Sequence, residues 1–201
     1  AEDLHFLLRS LALRDATLVG YATGVVDVLR CLGSYGDGPV AQVVLVAGIA
    51  PFAPRRARNP RGLAPPAMAR AFAADRPALL QHFLDVAFNT DPAQRPLLST
   101  GALQAAVRQA LDDSDGTGAE FLAHWQADLR DDLRRVAVPT LVLHGREDRI
   151  CPLPRCGRAM ARRIGGARLV AVDHAPHGLL WTHAEAVNAA LLEFLGAWAG
   201  P

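Results

Sequence analysis

The chain contains no lysine; all 21 of its basic residues are arginine. A lysine Schiff base, a P-loop and a Ser–Lys dyad are thereby excluded, because each needs a lysine amine at a defined place. An excess of charge of one sign is missing too. The 21 basic groups face 20 acidic ones, a formal net charge of +1. Nucleic-acid and membrane-surface proteins gather a basic excess on one face or segment, so neither kind of partner is expected. Cysteine is scarce. Cys31, Cys151 and Cys156 are too few for a disulfide framework and lack a C-x-x-C spacing. Reduced thiols in a cytoplasmic protein are the expectation, with a Cys151–Cys156 bridge across Pro152 and Pro154 as the alternative. No apolar run reaches the roughly 18 residues that span a bilayer. No basic segment precedes an apolar stretch near Ala1, so no leader is expected. No His/Cys/Asp spacing resembles a zinc site and no glycine-rich phosphate loop is present. No metal or organic cofactor is implied.

What is present is ordinary globular material. Of 201 residues, 51% are hydrophobic and 20% charged, which suits one domain, or one domain with a cap. Asp3 to Leu13 places Leu4, Leu7, Leu8 and Leu11 on one helical face. Thr17-Leu18-Val19 is a short strand ending at Gly20. Val25, Val28, Leu29 and Leu32 return to helical spacing, stopped by Gly33 and Gly36. Residues 41–47 (AQVVLVA) are an almost continuous apolar strand, the pattern of a parallel sheet covered on both faces. Residues 51–62 hold three prolines and the cluster Arg55, Arg56, Arg58 and Arg61, a solvated loop. Segments 67–88, 101–111 and 119–133 carry helical spacing. Thr140 to His144 is a second buried strand, Leu153 to Ile164 a helix, and Ala167 to Val172 a further strand. Thr182-His183-Ala184-Glu185 is a capping box that opens a last helix to Trp198.

Strands alternating with helices predict an α/β layered, mostly parallel sheet. The helical block at 51–133 interrupts that alternation. It reads as a cap over the carboxyl edge of the sheet, where open α/β sheets bind ligands. The core is then 1–50 and 134–201.

Three strand exits carry the polar residues. Gly20-Tyr21-Ala22-Thr23-Gly24 lies between a strand and a helix, the context of a G-x-S-x-G nucleophile elbow. Its central position is Ala22, so the frame is there without the hydroxyl. Asp148 follows the strand 140–144, and His177 follows the strand 167–172. Histidine exchanges a proton near neutrality, and a carboxylate behind it fixes the tautomer and stabilises the imidazolium. Glu147 is the rival of Asp148; His174 and His183 are the rivals of His177. The order of position 22, Asp148 and His177 is that of the α/β-hydrolases rather than of chymotrypsin or subtilisin.

With LVGYATGVVDVLRCLGSYG (18–36), VPTLVLHGREDRICP (138–152) and APHGLLWTHAEAVNAALLEFL (175–195), the chain resembles the α/β-hydrolase superfamily. Within it, the likeness is to the cofactor-free haloperoxidase-like, perhydrolase or esterase branch. The resemblance implies an α/β-hydrolase fold, here the C-terminal part of the sheet with flanking helices and a helical cap. It implies serine at the position of Ala22, the triad acid at Asp148 and the base at His177. It also assigns an oxyanion-hole donor to the backbone N–H of Thr23. The expected activity is acyl transfer from a small ester to water or peroxide, lost or strongly impaired with Ala22. Tyr21, Phe52 and Trp181 are pocket candidates. A non-catalytic binding or interaction protein is the alternative, and whether Ala22 is native or introduced stays open.

The family's sheet begins with further strands, whereas this chain begins with Ala1 inside a helical pattern. The expectation is a preceding segment, or a second chain, that pairs with the strand 17–19. A homo-oligomer stays open.

Overall fold

The computed structural model describes residues 1–51, 70, 74–90, 97–112 and 123–196. Helix α1 is Glu2–Ser10, followed by β1 (Ala16–Tyr21), α2 (Gly24–Tyr35) and β2 (Val40–Val46). Two helices, α3 (Arg76–Ala87) and α4 (Thr100–Asp112), precede α5 (Arg130–Arg135). Then come β3 (Thr140–Gly145), α6 (Gly157–Ala161), β4 (Arg168–Val172), α7 (Leu179–Thr182) and α8 (Ala184–Gly196).

The four strands form one sheet in the order β1-β2-β3-β4, every pair parallel. Alternate side chains of each strand enter different cores, as the pleat requires. Val43, Leu45 and Val142 join Val25, Leu29 and Leu32 of α2, together with Leu133 of α5. Val44, Val46, Leu141 and Leu143 join Leu179, Val187, Ala190 and Phe194 of α7 and α8. Strands β2 and β3 are buried along nearly their whole length, because helices cover both faces. The 41–47 run was legible for this reason.

At β1 the cover is one-sided. Leu18 and Gly20 are buried, but Val19 is 57% exposed. Its neighbour in register, Val44, is fully buried. Among the described residues β1 is an edge strand.

Helix α2 packs against β1 so closely that the junction has no room for a side chain at Gly20. A Cβ there would meet Val25 Cα at 2.9 Å and the Gly24 carbonyl at 3.0 Å. At Gly24 a Cβ meets nothing. Only one of the two glycines that frame the turn is demanded by contacts in the described structure. Helix α2 ends on Gly36 at φ 77°, a left-handed stop that glycine adopts without strain.

Three expectations need correction. The segment 119–133 is not one helix: residues 123–126 are helical, residues 127–129 break the pattern, and α5 restarts at Arg130. The break accompanies Leu129 N–H donating to the Pro51 carbonyl at 3.0 Å. The helix expected over 153–164 shrinks to α6; its ends form turns, with Arg155 and Cys156 N–H groups both donating to the Pro152 carbonyl. Thr182 does not open a capping box. Its hydroxyl donates to the Gly178 carbonyl at 3.3 Å and closes α7.

The described part of the insertion between β2 and β3 meets the loops after β3 and β4 through the end of α3. Gly178 N–H donates to the Ala87 carbonyl at 2.9 Å. Asn89 Nδ2 donates to the Glu147 carbonyl at 2.9 Å. No described helix is long and apolar enough to cross a membrane.

The two framing glycines should respond differently to alanine. Gly20→Ala forces backbone apart and should cost about 1–3 kcal/mol. Gly24→Ala, in open space at the start of α2, should be neutral or stabilise by up to about 1 kcal/mol. Urea unfolding of the two variants measures the contrast.

Candidate functional site

The site is built at the carboxyl ends of β1, β3 and β4. Ala22 sits at the apex of the strand-to-helix turn with φ 51°, a left-handed backbone that strains a residue bearing a Cβ. Its N–H donates to the Val46 carbonyl at 2.9 Å, extending the β1–β2 ladder. Its carbonyl accepts from Val25 N–H at 3.4 Å, which begins the helix. The turn is therefore held from both sides. Thr23 is the N-cap of α2, and its hydroxyl caps nothing. The first N–H groups of a helix have no acceptor inside it, and the Thr23 amide is among those at this turn.

Asp148 is buried in the loop after β3. Its Oδ1 accepts from Ile150 N–H at 2.9 Å and Cys151 N–H at 2.6 Å. Its Oδ2 lies 2.9 Å from His177 Nδ1 and 3.3 Å from His144 Nε2. Burial pushes the carboxyl pKa up, but the hydrogen bonds and charges of His144 and His177 outweigh it. Asp148 ends below the ordinary carboxylate value and stays ionised at neutrality. His177 is itself buried. Since the carboxylate only accepts, Nδ1 carries a proton, and Nε2 is the remaining nitrogen for a reacting partner.

Tyr21 ties the β1 turn to the histidine loop. Its hydroxyl donates to the His177 carbonyl at 3.2 Å, and its ring centroid lies 5.6 Å from the imidazole. Burial, and secondarily the Asp148 charge, raise the phenol pKa, so it remains a donor. Trp181 packs edge-on to Tyr21 and to Phe88, both at 6.0 Å, while 61% exposed. Tyr21 is thus beside the histidine and Trp181 beside Tyr21; Phe52 and the Arg55–Arg61 cluster lie outside the described residues.

A model of the α/β hydrolase fold family matches residues 1–184. The chain belongs to the α/β-hydrolase family. It is 32% identical to a non-heme haloperoxidase of Rhodococcus erythropolis over 206 residues, covering 97% of this chain and 73% of that protein. Among solved structures, the bromoperoxidase of Bacillus anthracis is 29% identical with a TM-score of 0.89, covering 96% of this chain and 72% of the other. The esterase EaEST of Exiguobacterium antarcticum is 25% identical with a TM-score of 0.87, covering 97% and 72%. These likenesses place the chain in the haloperoxidase-like branch of the α/β-hydrolases.

Within this α/β-hydrolase the rival residues separate cleanly from the buried pair. Glu147 and His174 meet each other, His174 Nδ1 to Glu147 Oε1 at 3.0 Å, on the exposed surface. His183 hydrogen-bonds Thr182. Cys151 is buried, and burial pushes its thiol pKa well above the usual value, which disfavours the thiolate that a cysteine nucleophile needs. Asp148, Cys151 and His177 lie close enough together to suggest metal ligands. The direct Asp148–His177 hydrogen bond already engages two of the three.

Sequence reasoning missed His144 and Phe88. His144 ends an apolar strand run, and a polar residue placed inside such a run was its signal. Phe88 carried none: it lies in the insertion between β2 and β3, and its contact with Gly178, where a Cβ would run into its ring, is created only by folding.

The depressed Asp148 pKa has a sign for stability. A carboxyl whose folded pKa lies below its unfolded value, about 3.9, stabilises the fold above that pH. The contribution is lost as pH falls through the folded pKa. Asp148→Asn should therefore be less stable than the parent at neutral pH, and the gap should narrow below about pH 4. Urea unfolding of both proteins across that range is the measurement.

Proposed function

We propose that this chain carries the site of a serine-hydrolase-type acyl-transfer enzyme, with alanine standing at the nucleophile position. The observation that carries the reading is the strained backbone of Ala22, φ 51°, at a turn hydrogen-bonded on both sides. Alanine gains nothing from that conformation, whereas a side chain presented for attack requires it. The buried Asp148–His177 pair supports the same reading.

In the reaction proposed, a serine hydroxyl at position 22 attacks the carbonyl carbon of a small ester. His177 Nε2 takes the hydroxyl proton, and Asp148 holds the imidazolium through Nδ1. The Thr23 N–H stabilises the oxyanion. Collapse expels the alcohol, which receives the proton from His177. Water, deprotonated by His177, then releases the acid. Hydrogen peroxide in place of water would release the peracid, an extension drawn from the likeness to haloperoxidases. Tyr21 and Trp181 border the acyl group. With Ala22 the covalent route is closed, and binding remains.

Two further parts of the proposal concern the surroundings. The open edge of β1, with Val19 exposed, is paired in the working protein by a preceding segment or a second chain, because unpaired edges invite aggregation. The three cysteines are free thiols, which suits the reducing cytoplasm.

Ala22→Ser is the decisive variant. It should hydrolyse a p-nitrophenyl short-chain ester at least about 1,000-fold faster than the parent and take a serine-directed phosphonate covalently. His177→Ala in that background should abolish both. Ester binding without turnover or labelling in Ala22→Ser would sink the enzyme reading and favour a binding module.

A further inference from the structure

We propose that His144 is a positioning residue for the Asp148–His177 pair: its Nε2–H anchors the acid loop and sets the Asp148 carboxylate against His177 Nδ1. This rests on the reading of His177 as the base.

His144 lies near the end of β3 with its side chain wholly buried. Its Nε2 is 2.6 Å from the Cys151 carbonyl. A carbonyl oxygen can only accept, so Nε2 must carry the hydrogen. The same N–H faces Asp148 Oδ2 at 3.3 Å. Cys151 in turn donates its N–H to Asp148 Oδ1. One residue of the loop is thus gripped at both polar ends, its carbonyl by His144 and its amide by Asp148. The carboxylate rotation that this grip selects leaves Oδ2 on His177 Nδ1.

The other side of the ring favours the same arrangement. His144 Nδ1 is buried without a hydrogen-bond partner. Gly157 lies against it; a Cβ there would come within 2.9 Å of the ring. A bare lone pair in that place costs less than a buried N–H or an imidazolium with nothing to accept its proton. The neutral Nε2–H tautomer is the one the pocket selects. Apolar residues of the same size could fill β3, but none could hold the Cys151 carbonyl. A buried carbonyl left unsatisfied pulls its loop toward other donors.

The ionisable groups facing the pair are His144 and Cys151 from the β3 side and Tyr21 from β1. Glu147 and His174 pair with each other on the surface and do not enter.

Nitrogen-15 and proton NMR on the Ala22-containing chain tests this without any turnover, so its failure and the failure of the enzyme reading are distinguishable. The parent should show His144 as the neutral Nε2–H tautomer and His177 Nδ1–H as a slowly exchanging downfield proton. His144→Leu should lose that proton signal. His144→Gln, whose amide can still donate to Cys151, should keep it. A folded His144→Leu that keeps the slowly exchanging His177 Nδ1 proton would reduce His144 to packing and overturn the proposal. Equal losses in the glutamine and leucine variants would overturn it as well. If the leucine variant does not fold, the parent's tautomer decides: Nε2–H supports the assignment, and Nδ1–H overturns it.

Discussion

A single buried charge organises the site. The Asp148 carboxylate is out of water, and a buried carboxylate without partners would neutralise or unfold its surroundings. Two backbone amides and two imidazoles meet it instead. Each contact fixes a different part of the molecule. The amides of Ile150 and Cys151 curl the loop after β3. His144 reaches from the strand beneath. His177 comes from the loop after β4. Removing one partner from such a group typically costs about 3–5 kcal/mol, so the loops and the sheet are locked to one another through it.

The sheet makes the meeting possible. Parallel strands present all their carboxyl ends at one edge, and β1, β3 and β4 each add a loop there. Tyr21 then bridges the β1 turn to the His177 carbonyl. The insertion between β2 and β3 enters the same assembly through Ala87, Phe88 and Asn89, which touch both the histidine and the acid loops. A movement of α3 would therefore be felt at His177 through Gly178, its neighbour in the chain. The left-handed Ala22 belongs to this economy of constraint. Its backbone is held in that conformation by Val46 on one side and Val25 on the other.

The haloperoxidase-like membership and the geometry bear on different questions. The likeness to haloperoxidase and esterase folds concerns the scaffold. The carboxylate–imidazole pair concerns what chemistry the scaffold can hold. Alanine at the turn separates these two, because it leaves the scaffold and the pair intact while, under the proposed function, it withholds the group that would form a covalent bond.

Much of this was legible in the order of residues. Strands β2 and β3 declare themselves through continuous apolar runs, since a strand covered on both faces has no polar side to alternate with; β1 and β4 are shorter apolar runs. Gly20 and the spacing to Gly24 mark the turn, and a carboxylate and histidine just beyond two later strands mark their loops. Choosing Asp148 over Glu147 and His177 over His174 rested on the likeness to a family; the physical distinction is burial, which neighbouring positions in a chain do not reveal. The tertiary structure alone brought His144 under the carboxylate, seated Phe88 against Gly178 and broke the helix at 127–129. Those outcomes depend on contacts between residues distant in the chain, on which carbonyl needs a donor and which glycine leaves room for a ring. The sequence by itself determined which segments would be buried strands and where polar chemistry would emerge from them. Only packing decided which of those polar groups lost their water, and that loss turned two of them into a pair.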